Sequence, residues 1–508
     1  MKKTLLLLIP FLLSAEPVDL KNEIEFLKQR IKKLEEMVIA STAKNTKVDE
    51  IVPEIRIQKL EEQVKNNTAD ITDGMDVLEV VERKTILDKI NFSPELELRF
   101  DKMDYKVGEI AGENTLIYSG PFTGQQRRKN YSKDFDPAGI IKFKLNMSAQ
   151  LDDNVKFNGR MIFTNSSQSN ERLCILSRDI KSNSASSAFD IERAYFDYTS
   201  NLNSETPFTF SFGLLPTTGG TPMQFSKNGQ RQSMFPALVF DMNTYGVIGT
   251  QKFSDDTYIR GILAKAYTLR ASFYPYQCNR ENIDNANVIG MYVDTKLDFL
   301  GDSLFSFGVN MLHDLKAHPY LGPDIDSGSS QVLGNMFTFG AGLDVKKVAD
   351  SDLTLFAHTA MSHPDGNGAK DDYQIVNPAA GTMIDGVTQG FSEADYAQGE
   401  MLKDNGYSLY IGAKYDYTSA LNFGLEYNYG SKYWFSATQG AEDMYNKLAT
   451  RGNVAEIYSI WKFHKNINAK FAYMYSDEQY TGSGWHFGEP AKKDGTQSII
   501  SMSINAKY

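Results

Sequence analysis

The chain ends with S-I-I-S-M-S-I-N-A-K-Y at Ser498–Tyr508. From Ile500 onward apolar residues alternate with small or polar ones, so Ile500, Met502 and Ile504 share one face. A period of two is typical of a β-strand with one face in an apolar medium and the other in water. A soluble β-sandwich can end in the same way, so this segment predicts a strand but does not show whether the strand lies in a membrane or in a soluble protein.

The same period of two recurs along most of the chain. We predict strands near 94–101, 140–151, 155–164, 191–199, 208–214, 244–251, 257–265, 288–297, 303–313, 335–345, 353–362, 406–417, 420–430, 455–463, 467–476 and 499–508. About ten tilted residues cross the apolar core of a bilayer, which matches these segments. The pattern predicts an all-β transmembrane barrel of about 16 antiparallel strands, with a range of 14–18.

The connections between these segments alternate strictly in length. Short turns are predicted at 152–154, 201–207, 252–256, 298–302, 346–352, 418–419 and 464–466, and long loops at 102–139, 165–190, 215–243, 266–287, 314–334, 363–405, 431–454 and 477–498. This asymmetry is typical of outer-membrane barrels, which have periplasmic turns and longer outside loops. An even strand number also places both ends of the barrel in the periplasm. The final strand, which closes on the aromatic Tyr508, resembles the last strand of bacterial outer-membrane barrels, where it also serves as the assembly signal.

The N-terminal part of the chain has a different pattern. Residues 1–15 combine a basic start, an apolar run and a small residue before Glu16, which predicts a signal peptide. Residues 16–90 carry two heptad seams, from Leu20 to Val38 and from Ile57 to Val81, interrupted by Pro53. Such seams predict an α-helical coiled-coil stalk in the periplasm. The barrel would then occupy residues 91–508.

Composition excludes several classes of protein. The formal net charge of −11 argues against a nucleic-acid partner, which requires a basic surface. No run of about 18 apolar residues is present, so no membrane-spanning helix is predicted. We find no G-x-S-x-G or H-E-x-x-H motif and no other set of catalytic residues, so neither an enzyme nor a cofactor is expected.

If the apolar faces point outward, the opposite face of each strand lines a lumen. Five basic residues then lie close together as pore-lining candidates: Lys142, Lys144, Lys156, Arg160 and Arg193. Over all clear inward positions, basic residues exceed acidic ones only slightly. Local clusters of Lys and Arg favour anions in pores, so we expect a weak anion preference; the alternative is a mixed, salt-bridged wall.

The third outside loop, residues 215–243, is the candidate constriction. It contains L-P-T-T-G-G-T-P and F-P-A-L-V-F-D, whose prolines and glycines favour fixed bends. Its candidate constriction charges are Lys227, Arg231 and Asp241. The sequence leaves open whether the loop folds into the lumen.

Cysteines and histidines suggest weaker hypotheses. Cys174 and Cys278 both fall in predicted outside loops, where a disulfide between them is one interpretation and two free thiols the other. His358 and His363 are predicted near the outside end of one strand. A metal site there is disfavoured, because nothing in the sequence specifies a ligand geometry.

The signal peptide, the coiled coil, the strands and the third-loop motifs together resemble an uncharacterised family of porin-like outer-membrane proteins found mainly in epsilon-type proteobacteria. The resemblance implies a porin for passive diffusion of small hydrophilic solutes. The alternative is an outer-membrane anchor or adhesin, whose barrel tethers the stalk and displays surface loops. Expected partners are outer-membrane lipid and lipopolysaccharide, further copies of the chain (a trimer is favoured over a dimer) and the cell-wall layer through the stalk.

Overall fold

The structure is a computed structural model that describes part of the chain. The described residues are 28–30, 32–33, 36–37, 64–65, 90–110, 131–166, 187–200, 206–267, 286–317, 331–368, 370–371, 383–384, 387–388, 399–400, 402–438, 445–480, 490 and 492–507. The chain divides into two units, residues 1–85 and residues 86–508. The described residues of the first unit are helical, and the rest of the predicted signal peptide and coiled coil lies outside the described part. None of the helices described is long and apolar enough to cross a membrane.

The second unit is a closed barrel of 16 antiparallel strands, as predicted. The strands are β1 (Ile90–Ile110), β2 (Tyr131–Gln150), β3 (Val155–Ser166), β4 (Ser187–Ser200), β5 (Phe208–Leu214), β6 (Tyr245–Lys252), β7 (Thr257–Tyr267), β8 (Ala286–Thr295), β9 (Ser303–Ala317), β10 (Gln331–Val345), β11 (Leu353–Gly366), β12 (Gly406–Asp416), β13 (Leu421–Gly430), β14 (Gly452–His464), β15 (Ile467–Tyr480) and β16 (Lys492–Lys507). The observed strands match the predicted segments one for one. Four further strands of two residues, 370–371, 383–384, 387–388 and 399–400, pair with one another between β11 and β12.

The last strand closes the barrel by pairing with the first. Leu98 lies opposite Ile504 and Arg99 opposite Ser503 in the β1–β16 register, and on its other edge β16 pairs with β15. Closure gives each strand two hydrogen-bonded neighbours, so no sheet edge remains. The prediction that the C-terminal segment is the barrel's closing strand is confirmed.

Apolar residues cover the outer faces of the strands, and the inner faces are polar except on strands such as β8, where Val288 and Tyr292 are each 0% exposed on the inside. In β13, Phe423 and Leu425 are 46% and 57% exposed on the outside, whereas Glu426 and Asn428 are each 1% exposed on the inside. The same alternation holds in β16, where Ile500 is 61% exposed and Ser503 only 7%. The outer surface is therefore the apolar one, and the inside-outside assignment made from the sequence is confirmed.

The two ends of the barrel differ as predicted. Short connections, such as 151–154, 417–420 and 465–466, lie at one end, which we call the short-turn end. At the other, the long-loop end, β1 ends at Ile110 and β2 begins at Tyr131, and β5 and β6 are joined by the connection 215–244. Both the start of β1 and the end of β16 lie at the short-turn end.

We predict that Leu425→Arg, in the middle of the outer face of β13, lowers the free energy of unfolding in lipid vesicles by about 2–4 kcal/mol, the cost of placing Arg near the bilayer midplane. Ser419→Arg, in the exposed turn before β13, is the matched control and should have little effect. Urea titration followed by gel mobility of the folded barrel measures both. Equal effects of the two substitutions would contradict a lipid-facing outer surface.

Candidate functional site

The connection between β5 and β6, residues 215–244, folds into the barrel; we call it the third loop. Its Leu238 and Phe240 are 1% and 0% exposed. Phe225 stacks on Phe356 of β11 with ring centroids 5.5 Å apart, and Phe235 contacts Tyr292 of β8 edge-on at 4.5 Å. Both partners lie on the inner face of the wall, so the third loop fills the lumen beside β8–β11.

The two sequence motifs of the third loop bind each other. The Gly219 N–H donates to the Asp241 carboxylate at 2.6 Å, and the Ala237 N–H donates to the Thr221 carbonyl at 2.9 Å. A Cβ on Gly220 would lie 1.6 Å from the Phe235 carbonyl oxygen, so only glycine permits this approach. The glycines and prolines seen in the sequence thus fold the loop on itself.

Charged wall residues hold the third loop on the β8 side. Arg231 of the loop pairs with Asp294, whose carboxylate also lies 2.7 Å from the guanidinium of Arg260. Arg260 is 2% exposed and was not among the inward charges identified from the sequence. Asp294 therefore lies between two guanidinium groups, one from the loop and one from the wall.

A second buried carboxylate accepts a hydrogen bond from the loop. The Thr221 hydroxyl donates to Asp344 of β10, and Asp344 also lies 2.8 Å from Nε2 of His358. His358 is 2% exposed on the inner face of β11. The sequence placed His358 near the outside end of its strand, whereas it lies within the lumen wall beneath the loop.

Two of the predicted pore-lining bases hold the opposite side of the third loop. Arg160 donates to the Gln232 side chain at 2.6 Å, and Arg193 donates to the Thr218 carbonyl at 2.8 Å. Arg160 and Arg193 are directly opposite each other in the β3–β4 register. Arg160 also pairs with Glu192 at 3.4 Å. These two arginines therefore line the lumen and also position the loop.

The predicted constriction charges have different environments. Lys227 is exposed and lines the part of the lumen that the third loop leaves open, which is described below as the main cavity. Arg231 is paired with Asp294. Asp241 is 2% exposed and binds Gly219 within the loop, so it does not face the open lumen.

A second loop, residues 431–451 between β13 and β14, also folds inward; we call it the seventh loop. Residues 439–444 of it lie outside the described part. Trp434 is 0% exposed and donates from its indole nitrogen to the Leu448 carbonyl at 2.8 Å. The Asp241 N–H donates to the Ala437 carbonyl at 3.0 Å, which joins the third and seventh loops. The sequence interpretation treated residues 431–454 as an outside loop.

Ionic contacts anchor the seventh loop to the wall. The Lys447 ammonium lies 2.5 Å from Glu426 and 2.6 Å from Glu456. The Tyr445 hydroxyl donates to Asp101 of β1 at 2.5 Å. Burial raises the pKa of this hydroxyl well above its ordinary value. The apolar pair Trp434-Phe435 was the sequence signal that could have indicated burial.

The loops leave an open region of the lumen beside β14, β15, β16, β1 and β2. It forms a cavity with about 1560 Å³ of empty space, open solvent included. Its lining contains seven basic and three acidic residues: Arg99, Lys142, Lys144, Lys227, Lys447, Lys470 and Lys507, with Glu95, Glu97 and Glu456. A second cavity near the short-turn end, with about 700 Å³ of empty space including open solvent, is lined by Lys156, Arg160 and Arg193 and by no carboxylate.

The lumen is thus divided electrostatically. Asp294, Asp344 and Glu426 are bonded to residues of the inward loops. Lys142, Lys144 and Lys156 line the two cavities, and Arg160 lines the smaller one while it also binds the third loop. Basic residues outnumber acidic ones seven to three in the lining of the open region.

Two further sequence hypotheses concern a metal site and a disulfide. Within the described ranges, no group of three or more His, Cys, Asp or Glu residues could hold a metal ion. Cys174 and Cys278 both lie outside those ranges, so their pairing stays a prediction.

We predict that Asp294→Ala strongly destabilises the barrel, by about 3–5 kcal/mol, because it leaves the buried Arg260 without its counter-charge. Asp255→Ala, which removes the exposed partner of Lys252, is the matched control and should not change the urea midpoint. Urea unfolding of both variants measures the difference. A stable Asp294→Ala protein would contradict the proposed anchoring of the third loop.

Comparison with known proteins gives a family and distant structural likenesses. No curated protein matches the chain. Among solved structures, OmpT of Vibrio cholerae is 11% identical, covers 82% of this chain and 97% of its own, and has a TM-score of 0.41. The outer membrane channel DcaP of Acinetobacter baumannii is 12% identical, with coverage of 83% and 98% and a TM-score of 0.41. Pseudomonas putida OprB is 10% identical, with coverage of 84% and 96% and a TM-score of 0.42. The family described as "Protein of unknown function (DUF3373)" matches residues 139–506, and the chain belongs to this family.

Proposed function

We propose that the protein is an outer-membrane porin through which small hydrophilic solutes diffuse passively. The observation that carries the proposal is the open region left beside the inward loops and lined by charged side chains. A barrel of 16 strands is wide enough to enclose an aqueous channel. Its apolar outer surface suits lipid, because every backbone polar group in hydrocarbon must be paired within the protein.

The proposal includes the arrangement of the rest of the chain. Residues 1–15 would direct export, residues 16–90 would form a periplasmic stalk, and residues 91–508 would form the barrel in the outer membrane. The short-turn end would then face the periplasm, where the start of β1 meets the stalk. Lipopolysaccharide would surround the long-loop end. We propose a homo-oligomer, with a trimer favoured over a dimer and the cell-wall layer as a further partner of the stalk.

The charge of the lining supports a weak anion preference. Seven basic residues against three acidic ones line the main cavity, and the smaller cavity has only basic residues among its charged groups. Fixed positive charge along a pore raises the local concentration of anions. The preference should be weak, because Glu95 and Glu97 stand beside Lys144 and Lys142 in the β1–β2 register.

An anchor or adhesin is the second candidate. β1 and β2 have 21 and 20 residues, twice what is needed to cross a bilayer, and they extend the wall towards the long-loop end. A projecting wall suits surface display. This candidate predicts a barrel that folds in membranes and carries no measurable ion current.

Recording from purified protein in planar bilayers tests both candidates. We expect stable conductance, with a reversal potential in a KCl gradient that indicates a modest preference for chloride. Lys142→Gln combined with Lys144→Gln should shift the reversal potential towards cations, because two lining charges are removed. Arg160 is left intact, since its loss would also release the third loop.

Lys265→Gln is the matched control. Its ammonium binds Asn287 at the long-loop end of β7 and does not line the main cavity, so its reversal potential should equal that of the unchanged protein. Absence of conductance would overturn the porin proposal and favour the anchor. If the double variant conducts but its reversal potential does not change, Lys142 and Lys144 do not line the path that anions take through the pore.

A further inference from the structure

Two carboxylates of the lumen wall lie directly opposite each other. Glu426 of β13 and Glu456 of β14 are cross-strand partners on the inner face, and their side chains are 1% and 10% exposed. Like charges at directly opposite positions of an antiparallel pair repel each other and destabilise the sheet. Burial strengthens the repulsion, because less water screens the two charges. The pair therefore depends on positive charge close to both carboxylates.

The wall supplies part of this positive charge. The Lys470 ammonium of β15 lies 2.8 Å from the Glu456 carboxylate. Glu426 instead accepts hydrogen bonds from two neutral hydroxyls, those of Tyr410 at 2.6 Å and Tyr458 at 3.2 Å. Among the strand residues that the structure describes, none forms an ion pair with Glu426. The wall therefore compensates one carboxylate of the pair.

The second positive charge comes from the seventh loop. The Lys447 ammonium lies 2.5 Å from Glu426 and 2.6 Å from Glu456, so one group bridges both strands. It also lies 5.4 Å from the centroid of the Tyr410 ring. Lys447 is 4% exposed and lines the main cavity. The loop is thus tied to the wall at the edge of the open passage, by a contact that we call the strap.

The strap affects two properties of the passage. Tyr445 and Lys447 are the described residues of the seventh loop that line the main cavity, so this edge of the loop limits the open cross-section. Glu456 lines the same cavity, and its charge is compensated there by Lys447 and Lys470. Release of the Lys447 ammonium frees the loop edge and also leaves the opposed carboxylates with one counter-charge in place of two.

We propose that Lys447 fixes both the width and the charge of the passage, as a counter-ion carried by the seventh loop and inserted between Glu426 and Glu456. Lys447 is a positioning residue, because it acts through the loop edge and the two carboxylates. Its effect on ion flow rests on the porin function proposed above, whereas the strap itself does not depend on conduction.

Labelling of a buried thiol tests the strap without requiring conductance. In full-length protein with Cys174→Ser and Cys278→Ser, Ser436→Cys places a thiol in the seventh loop at a position that is 0% exposed. Adding Lys447→Gln should let a membrane-impermeant thiol reagent label this position about tenfold faster, because the loop opens more often once its ionic contact is lost. Lys447→Arg keeps the positive charge and should restore slow labelling.

Lys414→Gln is the matched control. It also removes one buried ammonium from the inner wall, but that ammonium pairs with Asp416 at 2.7 Å and does not line the main cavity. Labelling at position 436 should stay slow in this variant. If Lys447→Gln alone does not fold in lipid vesicles, Lys447→Gln combined with Glu426→Gln carries the same test, because it has no opposed carboxylates.

Recording in planar bilayers separates width from charge. Lys447→Gln should raise the conductance and shift the reversal potential towards cations. Lys447→Gln combined with Glu426→Gln removes one charge of each sign, so its conductance should stay raised while its reversal potential returns to that of the unchanged protein. Slow labelling at position 436 in both of these variants would overturn the strap, whatever the protein conducts. Fast labelling in a protein that carries no current would support the strap and refute the porin.

Discussion

Backbone hydrogen bonding is the constraint on which the structure depends. In an apolar medium an unpaired N–H or C=O group costs several kcal/mol, so a sheet must close on itself. The pairing of β1 with β16 satisfies this constraint and fixes the parity of both strands. Once it is fixed which residues of a strand point outward, each strand has an apolar outer side, and most polar residues of the strands are enclosed. The polar residues enclosed in this way then need partners, and the two inward loops provide many of them.

The inward loops explain why basic and acidic residues are nearly equal in number along the wall but unequal in the lining of the open lumen. Asp344, Glu426 and Glu456 accept contacts from Thr221 or Lys447, residues of the third and seventh loops. The third loop also contacts two wall bases, since Arg160 and Arg193 donate to Gln232 and Thr218. Lys142, Lys144 and Lys156 line the cavities that the loops leave open. Anion preference, in the proposed function, is a consequence of where the loops pack rather than of the total charge.

The strands could be predicted from the sequence because their signal is local. A period of two over about ten residues indicates that the two faces of the strand lie in different surroundings. This pattern does not depend on which strands are its neighbours. The bends of the third loop were also visible, since Gly219, Gly220 and the nearby prolines restrict the backbone. The contacts of the third loop could not be predicted, because the pairing of Arg231 with Asp294 joins residues 63 positions apart in the sequence. Counting inward charges also overlooked Arg260, which lies in a weakly alternating strand.

The seventh loop could not be placed from the sequence for a related reason. A lysine in a loop is usually exposed to solvent, so the sequence does not indicate that Lys447 is buried. Its partners Glu426 and Glu456 lie on β13 and β14 and come close to it only in the folded barrel. Trp434 was the available indication, since a large indole is rarely left in water. The stalk and the signal peptide remain predictions from their own local patterns.

The central claim, that two loops fill one side of the lumen and leave a basic passage on the other, is tested most directly by cysteine accessibility. In a Cys174→Ser, Cys278→Ser background, Ser501→Cys lies beside the main cavity, and Thr338→Cys lies beneath the third loop, where Thr338 is 0% exposed. A water-soluble, membrane-impermeant thiol reagent should label Ser501→Cys rapidly and leave Thr338→Cys unlabelled. Equal labelling of both positions, or faster labelling of Thr338→Cys, would contradict the account.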